Sequence, residues 1–126
     1  MNWKKYVVFE PNEKTLFEAG QVEHRWTTTV YEDHTDEVTH RNGILALTNS
    51  RLIYVSTTPL FVYAMPFDQI SRIEPRSYKV KGGLFGSKTE HALIIADKDA
   101  PYERRFILKA DELEKIMMEI KKLREG

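Results

Sequence analysis

Gly43-Ile44-Leu45-Ala46-Leu47-Thr48-Asn49-Ser50-Arg51-Leu52-Ile53-Tyr54-Val55 contains two short apolar runs separated by the turn-forming residues Thr48 to Arg51. Each run is too short for a stable helix and is bounded by polar residues, which is how buried strands read. The stretch therefore predicts a β-hairpin. Asn42-Gly43 just ahead of it offers residues that tolerate positive φ, and so predicts a turn at the end of the polar segment Glu32 to Asn42.

Working outward, the chain keeps giving short strands punctuated by turns. Val22 to Tyr31 is dense in Thr, Val, Trp and Tyr and predicts a strand. Thr15 to Ala19, ended by Gly20, predicts a short strand or turn. After Pro59, the residues Phe61, Tyr63, Met65 and Phe67 alternate with Val62 and Ala64, and Pro66 marks this strand as an edge or a strand end. Ile70 and Ile73 flank a corner, Ser77 to Lys81 extends, Gly82 to Ser87 is a glycine-rich tip, and Thr89 to Ala96 returns. Asp97 to Pro101 reads as a turn before a last strand from Arg104 to Lys109.

The period then changes. Leu113, Ile116, Met117, Ile120 and Leu123 recur at helical spacing, with Asp111 as the expected N-cap and Glu114 three residues on. The expected fold is mainly β with one C-terminal helix, a seven-stranded barrel or sandwich closed by that amphipathic segment. The expected organisation is one domain over 1–126, with 1–13 as a lead-in and 110–125 as the capping helix.

Composition narrows the function. With 126 residues, 41% hydrophobic and 30% charged, the chain has room for one packed core and none for a second domain. The formal net charge is zero, which removes the long-range attraction to phosphate polymers and argues against nucleic acid as a partner. There is no cysteine, so disulfides, thiolate zinc sites and thiol nucleophiles are excluded. The apolar residues of Met1 to Glu10 are too few for a signal peptide, and no apolar run is long enough to cross a bilayer. The expectation is a cytoplasmic protein, with peripheral contact at the inner membrane face as its variant.

The hairpin Gly43 to Val55 resembles the G-x-L-x-L-T-x-x-R-L-x-Y pattern of GRAM domains and of bacterial pleckstrin-homology-like domains. The downstream order is similar too: the corner Phe67 to Ile73, the glycine hairpin Gly82 to Gly86, a last strand and a helix. This resemblance, over about residues 14–123, implies a seven-stranded PH-like barrel capped by the helix, a binding scaffold without catalytic chemistry. Phosphoinositide-binding members carry a basic cluster where this chain has Glu32-Asp33-His34-Thr35-Asp36-Glu37, so no headgroup-binding residue carries over.

Four groups of residues are candidates for function. Lys79, Lys81 and Lys88 flank Leu84 and Phe85 at the glycine tip, a composition suited to an anionic membrane or ligand. Asp33, His34, Asp36, Glu37 and His40 are metal-type side chains, at a spacing that matches no metal motif; no metal or cofactor is expected. The serines lack a nucleophile elbow and the glycine run lacks a strand-loop-helix context, so no catalytic residue is assigned. Phe61, Tyr63 and Met65 form an aromatic row on an expected edge strand, a candidate for pairing subunits or receiving a protein strand. The expected function is a non-enzymatic module contacting protein, itself included; the alternative is weak binding to anionic lipid through residues 79–88.

Overall fold

The computed structural model describes residues 1–30, 35–82, 84, 86–100 and 102–126, and the side chains of all of these except 28–30, 35 and 36. Among the described residues seven strands follow one another: β1 (Thr15–Val30), β2 (Thr35–Thr48), β3 (Arg51–Thr57), β4 (Leu60–Pro66), β5 (Ile70–Lys81), β6 (Ser87–Asp97) and β7 (Arg104–Leu108). The α-helix α1 (Ala110–Glu125) ends it. All pairings are antiparallel, in the order β4-β3-β2-β1-β7-β6-β5, so β4 and β5 are the free edges.

The sheet curls strongly. Laid flat, five strand spacings would part β4 from β6 by roughly 24 Å. Instead the Tyr63 hydroxyl on β4 donates to the Asp97 carboxylate on β6 at 2.6 Å. Inside the curl, every strand and the helix contribute to one core, including Val22, Leu45, Leu52, Tyr54, Tyr63, Ile70, Leu93, Ile95 and Phe106.

Two departures from the sequence reading produce this curl. β1 is one long strand, not two segments separated at Gly20; it passes through Gln21 at φ 55° with the pairing shifted between Ala19 and Val22. Likewise Asn42 at φ 56° and Gly43 form an irregularity inside β2, not a turn before it. Extra residues in one strand sharpen twist and bend, which lets β1 and β2 serve both halves of the curved sheet. Gly43 has a second reason to be glycine: a Cβ there would strike the ring of Tyr54. That ring crosses Gly43 to place its hydroxyl 2.8 Å from the Val22 carbonyl, and burial pushes the phenol up to about 12.

α1 docks through Leu113, Ile116 and Ile120, all buried in the core, with Met117 and Leu123 packed at its margin. Its start lies earlier than Asp111. The helix begins at Ala110, and the Lys109 amide donates to the Glu112 carboxylate at 2.9 Å, taking the role expected of Asp111 and Glu114.

The outer face of β2 to β4 is not bare. Trp3, in a short 3-10 turn at Trp3–Tyr6, packs with Ala46, Ile53 and Val55, and its indole N–H donates to Glu18 at 2.6 Å. Residues 1–13 thus form a second small core on that face. The Thr48-Asn49-Ser50-Arg51 turn holds them in place. Thr48 Oγ1 accepts from the amides of Ser50 and Arg51 and donates to Glu13, while Arg51 reaches both Glu13 and the Val8 carbonyl at 2.8 Å. Chiefly through Arg51, the Glu13 carboxyl is held well below the usual carboxylate range, at about 2.

Candidate interaction surface

The two free edges are built differently. At the foot of the β3–β4 hairpin the Phe67 amide donates to the Ser50 carbonyl at 3.2 Å, while both backbone groups of Arg51 turn to Thr48 on β2. Alternation along an unbroken register then turns the backbone groups of Phe61, Tyr63 and Met65 toward β3. Those of Leu60, Val62 and Ala64 turn outward, on the side where the sheet ends, and Pro66 has no N–H to add there. The side chains of Phe61, Tyr63 and Met65 point into the curl. Tyr63 is buried, and Phe61 and Met65 pack against the core. The aromatic row expected as a contact surface is therefore core, and the main chain offered at the edge belongs to Leu60, Val62 and Ala64. The seven residues of β4, Leu60 to Pro66, include no charge.

β5 carries Arg72, Glu74, Arg76, Lys79 and Lys81, with Pro75 in its middle. Proline has no N–H and breaks any further ladder at that point. α1 also lies beside this edge. A groove of about 600 Å³ between them is lined by Pro75, Ser77, His91, Leu113, Met117 and Met118, among others.

Behind β4 runs a buried polar line that no sequence spacing announced. Asp97 accepts from Tyr63 at 2.6 Å and from Arg104 Nε at 3.0 Å. The Arg104 guanidinium lies between Trp26, 4.0 Å to the ring centroid, and Tyr63, 4.5 Å. It also stands 3.2 Å from His24 Nε2, and His24 Nδ1 is 3.1 Å from His40 Nδ1. A guanidinium only donates, so His24 Nε2 accepts. Its proton then sits on Nδ1 and points at His40, whose Nδ1 accepts in turn. Both imidazoles are neutral in this arrangement. Burial, followed by the Arg104 charge, pulls His24 down to about 3 and lowers His40 as well. Burial and the Asp97 hydrogen bond raise the Tyr63 phenol. His40 stacks on Phe61, 3.9 Å between centroids, so the line supports β4 from within. With His24 fully enclosed, its chemistry is structural: it fixes β1, β2, β4, β6 and β7 to one another.

The other sequence candidates do not converge. Asp33 and His34 lie outside the described residues, as does the side chain of Asp36. Glu37 pairs with Arg105 at 2.7 Å on the outer face, whereas His40 turns inward to His24. Among the described residues no group of three or more metal-type side chains gathers. At the β5–β6 tip Leu84 is 98% exposed, and Lys79, Lys81 and Lys88 are exposed too. Lys88 pairs with Val80, so it faces opposite to Lys79 and Lys81; Phe85 is outside the described residues. Among the described residues no helix is long and apolar enough to cross a membrane.

Comparison with protein families, with curated proteins and with solved structures returned no match.

Proposed function

We propose that this chain is a non-enzymatic binding or assembly module of the pleckstrin-homology and GRAM kind, which contacts protein by receiving a strand at the free edge of β4. One observation carries the reading: the charge-free β4 edge, beside a β5 edge guarded by charges and Pro75. Natural sheets protect exposed edges with charge, proline or cover, and an edge left open is a template for main-chain pairing. The buried line from Asp97 to Phe61 holds that template rigid, which lowers the ordering cost of pairing.

The test is amide hydrogen exchange with and without an extended, uncharged peptide of alternating threonine and valine. Leu60, Val62 and Ala64 gain protection while the β5 amides do not, and Val62→Lys abolishes the gain. Equal protection of both edges, or of neither, refutes the reading.

A second reading rests on the exposure of Leu84. Weak contact with an anionic membrane through the β5–β6 tip draws about 1 kcal/mol from each lysine that reaches the surface, and the opposed directions of Lys79 and Lys88 reduce how many do. Co-sedimentation with phosphatidylserine vesicles that fades with salt and with Leu84→Asp supports this reading; pelleting unchanged by either removes it.

A further inference from the structure

We infer that the groove between β5 and α1 binds one free fatty-acid anion, its chain laid along Pro75, Leu113, Met117 and Ile120 and its carboxylate at Arg124. The groove lies at the edge opposite β4, so this site stands apart from the strand-receiving reading.

The inner face of the sheet is the first ground. Ile73 packs against the core, and Pro75 and Ser77, at alternate positions after it, share its side of β5. Both are nevertheless exposed, because α1 crosses this face without covering it. The space left, about 600 Å³, falls within the roughly 300 to 1,000 Å³ of small-ligand sites. A second cavity of about 280 Å³ adjoins it across Ile120 and Arg124, over Phe67, Ile70 and Leu123.

The walls select an acyl chain. From Leu113 to Arg124 the helical wall runs about 16 Å, a length suited to an extended chain. Its middle is apolar, and Met117 and Met118 supply flexible side chains that repack around an irregular guest. On the facing wall Pro75 has no N–H, which blocks a peptide from adding there as a strand.

Charge selects the anion and its direction. Lys121 and Arg124 line one end of the groove. Along α1 the ion pairs are Lys121 with Glu125 and Lys122 with Glu119, which leaves Arg124 without a carboxylate among the described residues. Arg72, which shares the second cavity with it, is already held by Glu74 and Glu103. A planar guanidinium with its donors uncommitted suits a carboxylate. The other end disfavours one. There Ser77 Oγ and His91 Nδ1 satisfy each other at 2.8 Å, and Glu114, about 15 Å along the helix from Arg124, repels an anion.

Methyl NMR of the unaltered chain, titrated with decanoate, laurate and myristate below their micelle concentrations, tests the site. Of the four methionines, Met117 and Met118 shift and saturate at one ligand per chain, while Met1 and Met65 do not. Each two-carbon step tightens binding by roughly four- to fifteenfold. Arg124→Glu weakens decanoate about tenfold and leaves uncharged decanol unchanged.

Equal shifts at Met65 or Met1 put the chain elsewhere and overturn the site. Equal loss of decanoate and decanol in Arg124→Glu overturns the place given to the carboxylate. If phosphatidylcholine vesicles move Met117 and Met118 while laurate does not, the groove takes the chain of a bilayer lipid and the free acid is overturned; if neither moves them, the groove is no lipid site at all.

Discussion

β4 and β5 end the same sheet, yet one presents bare main chain and the other a line of charges broken by a proline. β4 is short, uncharged and held from behind by Tyr63, Phe61 and the polar line; β5 is long, charged and flanked by α1. The contrast teaches that hydrophobicity does not mark an interface here. The aromatic side chains of β4 and Met65 are spent on the core, and the group left to offer along the edge is the peptide backbone, whose availability is governed by charge and proline on the strand itself.

The largest test of this contrast removes the link between the β4 edge and the far side of the curl. Asp97→Ala leaves the Arg104 guanidinium buried without its carboxylate and costs about 3 to 5 kcal/mol in denaturant unfolding. If the loss is near zero, the polar line does not hold β4, and the rigidity of its edge needs another source.

On the β5 side, Ile116→Ala opens a cavity under α1 and costs about 2 to 5 kcal/mol. Amide exchange in that variant rises at α1 and β5 before it rises at β4. Uniform acceleration would show that the two edges are one cooperative unit.

Acid separates the groups behind β4 from those in front of it. His24 takes up its proton in the unfolded chain near pH 6.5 but in the folded chain only near pH 3, so folding stability is full above 6.5 and falls as pH drops between these values. His40 shifts in the same direction. Glu13 is depressed from 4.5 to about 2, so its contribution is intact above 4.5 and is lost as pH falls toward 2. The decline between pH 6.5 and 4.5 therefore belongs to the histidines, at up to about 1.4 kcal/mol per pH unit for His24. His24→Gln flattens that part of the curve and also makes it less steep from 4.5 down to about 3. Glu13→Gln changes only the part below 4.5, to which the lowered Glu90 and Glu103 carboxyls also contribute, and costs roughly 1 to 3 kcal/mol at neutral pH.

The smallest effect sharpens the comparison most. Pro75→Val, made in the Val62→Lys background, restores a donor to the middle of the β5 edge and changes stability by no more than about 0.5 kcal/mol. The variant stays monomeric, because the charges of β5 still guard that edge. Concentration-dependent association through β5 would show that the proline is the guard.

Much of the architecture was legible along the chain. Short apolar runs about a turn signal marked the hairpin of Leu45 and Leu52, alternation marked the row Phe61, Tyr63 and Met65, and helical spacing marked the change of period at Leu113, because each of these is a local pattern of apolar residues. Pro66 hinted correctly that β4 ends the sheet. Gly20 and the Asn42-Gly43 pair look like breaks in the sequence, whereas the positive φ lies at Gln21 and Asn42 inside continuous strands; a residue that tolerates positive φ looks the same in sequence whether the chain turns or a strand bends.

By itself, then, the sequence determined which segments extend, which one coils, and which carry charge, since these follow from side chains a few residues apart. Only tertiary structure decided that β4 turns Phe61, Tyr63 and Met65 into the core and the backbone of Leu60, Val62 and Ala64 to the free edge, and that His24, His40, Tyr63, Asp97 and Arg104 meet. Those meetings depend on pairing register and on how tightly the sheet curls, and both are set by contacts between residues far apart in the chain.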